Sequence, residues 1–126
     1  MGGPTVTRFE DLGLLRLLAA AGKPEQILEY VERNLGLLLE YDAAHNASLV
    51  QTLCTYLDSG AALRVAAERL LIHESTLKYR LHRIRAVTGH DLTDPDTRFS
   101  LHLACRAYDA AKLLRQLGSP DPDLGE

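Results

Sequence analysis

Between His73 and Arg83 the chain gathers side chains suited to two kinds of polar chemistry: short groups at Ser75 and Thr76, and long hydrogen-bond donors at Lys78, Tyr79, Arg80, His82 and Arg83. Apolar Leu77, Leu81 and Ile84 run through them at the i, i+4, i+7 spacing of one helical face. With that stripe turned inward, helical geometry turns Ser75, Thr76, Tyr79, His82 and Arg83 outward, with Lys78 and Arg80 on the flanks. Such a face can grip a polyanion with its cations and read polar edges with its short groups. The plain alternative is a surface helix whose cations are merely solvated.

Other chemistry finds less support. His73-Glu74 begins like the His-Glu-x-x-His zinc motif, but the position of the second histidine is Leu77. His45, His90 and His102 have no neighbouring ligand at helical spacing, and His82 sits among arginines that disfavour a metal. No glycine loop, carboxylate pair or cysteine-histidine pair is arranged for catalysis. No enzyme activity, metal or cofactor is expected. Cys54 and Cys105 fall inside apolar helical patterns and read as reduced core residues.

The formal net charge of −3 gives no global attraction to a polyanion. Its distribution does. Residues 1–60 hold four basic and eight acidic side chains and residues 91–126 hold four and seven, whereas residues 61–90 hold six and two. The positive excess is confined to the window that contains the polar face. No run approaches the roughly 18 apolar residues of a membrane span and no signal core opens the chain, so a cytoplasmic protein is expected.

The elements that must position these groups are helical throughout, an all-α helical bundle, because apolar residues recur every three to four positions. Only Thr5 to Phe9 looks strand-like. A first helix is expected at Asp11 to Ala21, closed by Gly22, and a second from Pro24 to about Asn34 with Ile27, Leu28 and Val31 inward. Leu35 to Tyr41 reads as a short third helix, and Asn46 as the N-cap of a fourth over Ala47 to Asp58. Ala62 to Leu71 and Glu74 to Thr88 follow as a pair joined by a tight turn, the second closed by Gly89. Leu77, Leu81 and Ile84 are expected to pack on Ala67 and Leu70. Asp94-Pro95-Asp96 opens a last helix ending near Leu117-Gly118, before an acidic, proline-rich tail.

That helix pair is a helix-turn-helix, and its residues resemble a known family. His73-Glu-Ser-Thr-Leu-Lys-Tyr-Arg-Leu81, Arg83-Ile84, Thr88-Gly-His-Asp-Leu92 and Asp94-Pro-Asp-Thr-Arg98 are similar to the C-terminal domain of PucR/CdaR-type transcriptional regulators. Phe9-Glu-Asp-Leu-Gly13, Leu17-Leu18 and Leu39-Glu-Tyr-Asp42 are similar to the segment that precedes that domain. The resemblance implies a Fis-like helix-turn-helix that binds double-stranded DNA, at the end of a bacterial regulator whose upstream domain senses a metabolite. Two departures stand out. Glu74 and Ser75 occupy positions where the family usually has a basic residue and then asparagine, and Ala62 stands where a serine N-cap is frequent.

The resulting assignment places Glu74, Ser75, Thr76 and Tyr79 at base edges and His73, Lys78, Arg80, His82 and Arg83 at phosphates. Glu74 either accepts from a cytosine amine or points aside, and His73 either bonds locally in the turn or reaches a phosphate. Residues 1–46 are expected as an N-terminal helical segment, 47–118 as the DNA-binding domain and 119–126 as a disordered tail. A homodimer is expected, because one helix-turn-helix reads half of a palindromic site. The competing reading is a helical protein-interaction module without DNA contact, built on Leu35 to Leu39 and Leu113 to Leu117.

Overall fold

Five helices position the polar face: α1 (Pro24–His45), α2 (Leu49–Asp58), α3 (Leu63–Leu70), α4 (Glu74–Thr88) and α5 (Pro95–Gly118). They come from a computed structural model that describes residues 24–118. The strand-like Thr5 to Phe9, the helix expected at Asp11 to Ala21, the upstream family-like segment from Phe9 to Leu18, and the tail from Ser119 lie outside the described residues. Those described residues are all-α, and none of their helices is long and apolar enough to cross a membrane.

One continuous α1 replaces the two helices expected on either side of Asn34. Val31, Leu35 and Leu38 form a single stripe at i, i+4, i+7, and all three are buried. Burying leucine is worth about 1.5–3 kcal/mol, whereas Gly36 in mid-helix costs about 0.5–1 kcal/mol, so packing overrides the local break signal. The Asn34 side chain donates to the carbonyl of Tyr30 at 2.9 Å, within its own helix.

The start of α2 also differs from expectation. Asn46 is no N-cap; it takes a left-handed conformation, φ 51°, just past the end of α1, a role asparagine tolerates better than most residues. The cap of α2 comes from the preceding helix. Asp42 accepts from the amides of Leu49 at 2.8 Å and Val50 at 3.0 Å, which places a carboxylate on the positive end of the helix dipole. At the other end of the chain Asp94 caps α5 as expected, accepting from the Thr97 amide at 2.9 Å.

The main core joins α1, α2 and α5 through Leu35, Leu38, Leu53, Leu101 and Cys105. Tyr30 on α1 donates its hydroxyl to the carbonyl of Ser100 on α5 at 3.0 Å. Asp58, at the end of α2, meets Nε2 of His102 at 2.7 Å and Nε of Arg106 at 3.2 Å on α5. Cys54 and Cys105 are free and buried, and a mutual thiol hydrogen bond together with burial pushes the Cys54 thiol well above its ordinary range.

A second, smaller cluster lies beneath α3 and α4, where Ala66, Ala67 and Leu77 are buried and Leu63, Leu70 and Ile72 close around them. Leu77 packs as the spacing requires. Ile84 does not join it; Ile84 belongs to the main core, and the half-buried Leu81 borders both clusters. The reason is length: α4 has 15 residues and α3 has 8, so at about 1.5 Å per residue α4 outruns its partner and its second half finds cover on α1 and α2.

Candidate nucleic-acid interface

The turn that aims α4 is made without glycine. Leu71 closes α3 in the left-handed conformation, φ 59°, with its side chain 90% exposed. The amide of Ile72 returns to the carbonyl of Ala67 at 3.0 Å, and His73 then enters α4 through an extended backbone, its ring making no cap bond. At the far end Gly89, φ 78°, donates to the carbonyl of Arg85 at 2.7 Å. Both ends of α4 are thereby fixed.

With Leu77 and Ile84 buried, Ser75, Tyr79, His82 and Ala86 lie along the exposed face at i, i+4, i+7, i+11. Tyr79 is 62% exposed. Glu74 and His73 are exposed at the helix entrance, whereas Thr76 is half-buried at the margin rather than on the outward line. The cations divide between two flanks. Lys78 is exposed on one, beside Arg85, which the sequence assignment omitted although it stands in the same basic window seven residues on.

On the other flank Arg80 and Arg83 are half-buried, and each is held by a hydroxyl. Arg83 donates from Nη2 to the Tyr79 hydroxyl at 3.1 Å and lies 5.8 Å from the centre of that ring. This bond raises the pKa of Arg83 further above its usual value. Arg80 donates from Nη1 to Oγ1 of Thr52 on α2 at 3.3 Å, a contact that sequence spacing gave no means of finding. Nearby, Arg64 pairs with Glu68 across one turn of α3, and Arg69 donates to the Ser59 hydroxyl at 3.2 Å. Among the described residues no cluster of three or more histidine, cysteine or carboxylate side chains is placed to hold a metal ion.

A short helix, a tight turn and a longer helix packed back on it with a polar, cationic outer face define a helix-turn-helix domain. Residues 49–107 match the family described as the PucR C-terminal helix-turn-helix domain, and this segment is such a domain. The chain is 37% identical over 95 residues to the proline-responsive transcriptional activator PutR of Bacillus subtilis, covering 75% of this chain and 23% of that protein. It is 34% identical over 93 residues to the purine catabolism regulatory protein of Bacillus subtilis, covering 74% and 17%. Over 96 residues it is 37% identical to the carbohydrate diacid regulator of Escherichia coli, covering 76% and 24%. The chain thus spans about a quarter or less of the length of these relatives. No solved structure matches it.

Proposed function

We propose that this chain is the DNA-contacting domain of a bacterial transcription regulator, binding double-stranded DNA sequence-specifically with α4 in the major groove. The observation that carries this reading is the outward line of Ser75, Tyr79 and His82 on α4, flanked by Lys78, Arg80, Arg83 and Arg85, in a domain of the PucR type. Short polar groups and a tyrosine reach base edges, while long cations grip the phosphates on either side. Ser75, Tyr79, Glu74 and the marginal Thr76 take the base-edge role. Lys78, Arg80, His82, Arg83, Arg85 and the entrance residue His73 take the phosphate role.

The aligned relatives bear names that speak of proline, purine catabolism and carbohydrate diacids, so what they share with this chain is the output rather than the signal. The domain has no catalytic role and acts in the cytoplasm, attached to a sensory region. Two copies bind one palindromic site, since each helix-turn-helix covers one half-site.

Titration of variants against selected and random duplexes at several salt concentrations tests the assignment. Lys78→Ala or Arg83→Ala is expected to weaken binding to all duplexes alike and to reduce the salt slope by about one unit per lost phosphate contact. Ser75→Ala or Tyr79→Ala should shift sequence preference by about 1–3 kcal/mol. Glu74→Arg tightens binding to every duplex if the carboxylate repels phosphate, and relaxes one base position if it reads cytosine. Silence of all these variants would end the DNA reading, and a strict monomer on DNA in sedimentation would end the dimer.

A further inference from the structure

Thr52 is fully buried, yet it carries a hydroxyl. A buried hydroxyl needs a partner for its proton and offers lone pairs in return. Here the proton goes to the carbonyl of Ser48, one turn back on α2, at 2.8 Å. With the proton committed, the oxygen can only accept from any further neighbour, and the neighbour it has is Nη1 of Arg80 at 3.3 Å. The acceptor sits on an anchored helix end, because the first turn of α2, which follows the N-cap Ser48 and carries Thr52, is bonded to the Asp42 carboxylate through the amides of Leu49 and Val50.

Arginine is a long, rotamer-rich side chain whose guanidinium has five N–H donors in one plane. Holding a single Nη removes much of the rotamer freedom while leaving the other donors available. Lys78 and Arg85, on the opposite flank, are exposed, and the charge of Arg85 acts on Asp91.

We infer that Thr52 is the positioning residue for Arg80: from its seat on α2 it fixes the guanidinium against the flank of α4 so that the remaining N–H groups meet a DNA phosphate already oriented. The inference rests on the proposed DNA reading of α4. It makes a residue outside the helix-turn-helix a determinant of DNA affinity, and it ties the aim of Arg80 to α1 through Asp42.

The test compares Thr52→Val, which keeps the shape and removes the acceptor, with Thr52→Ser, which keeps the hydroxyl. In the 126-residue chain Thr52→Val is expected to weaken binding to a selected duplex about three- to tenfold, the range of one modest hydrogen bond. The salt slope should fall toward that of Arg80→Ala, and Thr52→Ser should restore both. Added to Arg80→Ala, the valine substitution should do nothing further to binding, a pattern that a general loss of stability does not produce.

If Thr52→Val does not fold, the order of the Arg80 Nε–H bond by NMR relaxation in the unaltered protein decides: Arg80 more ordered than Arg85 supports the inference, and equal mobility overturns it. An unchanged affinity and slope in Thr52→Val beside a clear loss in Arg80→Ala also overturns it. If Lys78→Ala, which Thr52 does not touch, is silent as well, the fault lies in the DNA reading and the inference falls with it.

Discussion

The core shared by α1, α2 and α5 and the cluster beneath α3 and α4 are built from different materials. In the first, leucines at positions 35, 38, 53 and 101 are fully buried; in the second, two of the three buried residues are alanines. The helix ends differ in the same sense. Asp42 and Asp94 cap α2 and α5 with carboxylates, whereas α3 starts at Ala62 without a side-chain cap and stops at a leucine held in the left-handed region. Stability therefore resides in the three-helix support, while the pair that presents the polar face is held by small groups and by α4 reaching back into the larger core with Ile84. The difference teaches that stability comes mainly from the three-helix support, and that the presenting pair is aimed by few contacts, some of which reach into that support.

The largest expected effect lies in the support. Leu53→Ala should cost about 4 kcal/mol, near the top of the range for a buried leucine, and Leu77→Ala about 2–3 kcal/mol because fewer large neighbours surround it. Urea unfolding of both variants checks the order, and a reversal would break the comparison.

Next comes Asp58, which joins α2 to α5. Burial pushes its carboxyl up, but the hydrogen bond from His102 and the charge of Arg106 outweigh this and hold it below the ordinary 3.8. A depressed carboxylate stabilises the fold above its unfolded value and loses that contribution as pH falls through the folded one. Asp58→Asn is thus expected to cost about 1.5–3 kcal/mol at pH 7, the worth of a hydrogen bond to a charged group. The gap to the unaltered protein should narrow below pH 3.8, as thermal unfolding across pH would show. A gap that widens on acidification would contradict the assignment.

Smaller effects, of opposite sign, are expected in the presenting pair. Ala62→Ser should gain about 1 kcal/mol by supplying the missing cap of α3. Leu71→Gly should gain only about 0.5 kcal/mol, since relief of the left-handed strain is partly cancelled by the entropy glycine loses on folding. Melting curves with unchanged DNA affinity would confirm that both act on stability alone; a loss of stability in Ala62→Ser would show that α3 is already satisfied.

What the sequence made legible was local. The limits of α4 and its closing Gly89, and the cap of α5 at Asp94, follow from signals within a few residues of one another. The break expected near Asn34 failed because burial of Leu35 and Leu38 cannot be weighed against Gly36 without the packing partner. Asn46 was misread because the true cap of α2, Asp42, stands on another helix, seven residues before the Leu49 amide it accepts. At the candidate site, the periodicity of Leu77 and Ile84 indicated which face of α4 is outward. It placed Arg80 on a flank, but did not reveal that Thr76 and Arg83 are half-buried at the margin, or that Thr52, 28 residues away, meets Arg80.

Asp42 also limits where the chain can be cut. A fragment beginning at residue 47 would keep every residue of the helix-turn-helix and of the matched segment 49–107, yet it would leave the amides of Leu49 and Val50 without their acceptor. It would also strip Leu35 and Leu38 from the surface they cover. Such an excised piece would keep the proposed recognition residues on α4 but fray the first turn of α2, the turn on which Thr52 sits. The smallest autonomously folding unit is therefore expected to be longer than the stretch that family likeness delineates and to include α1.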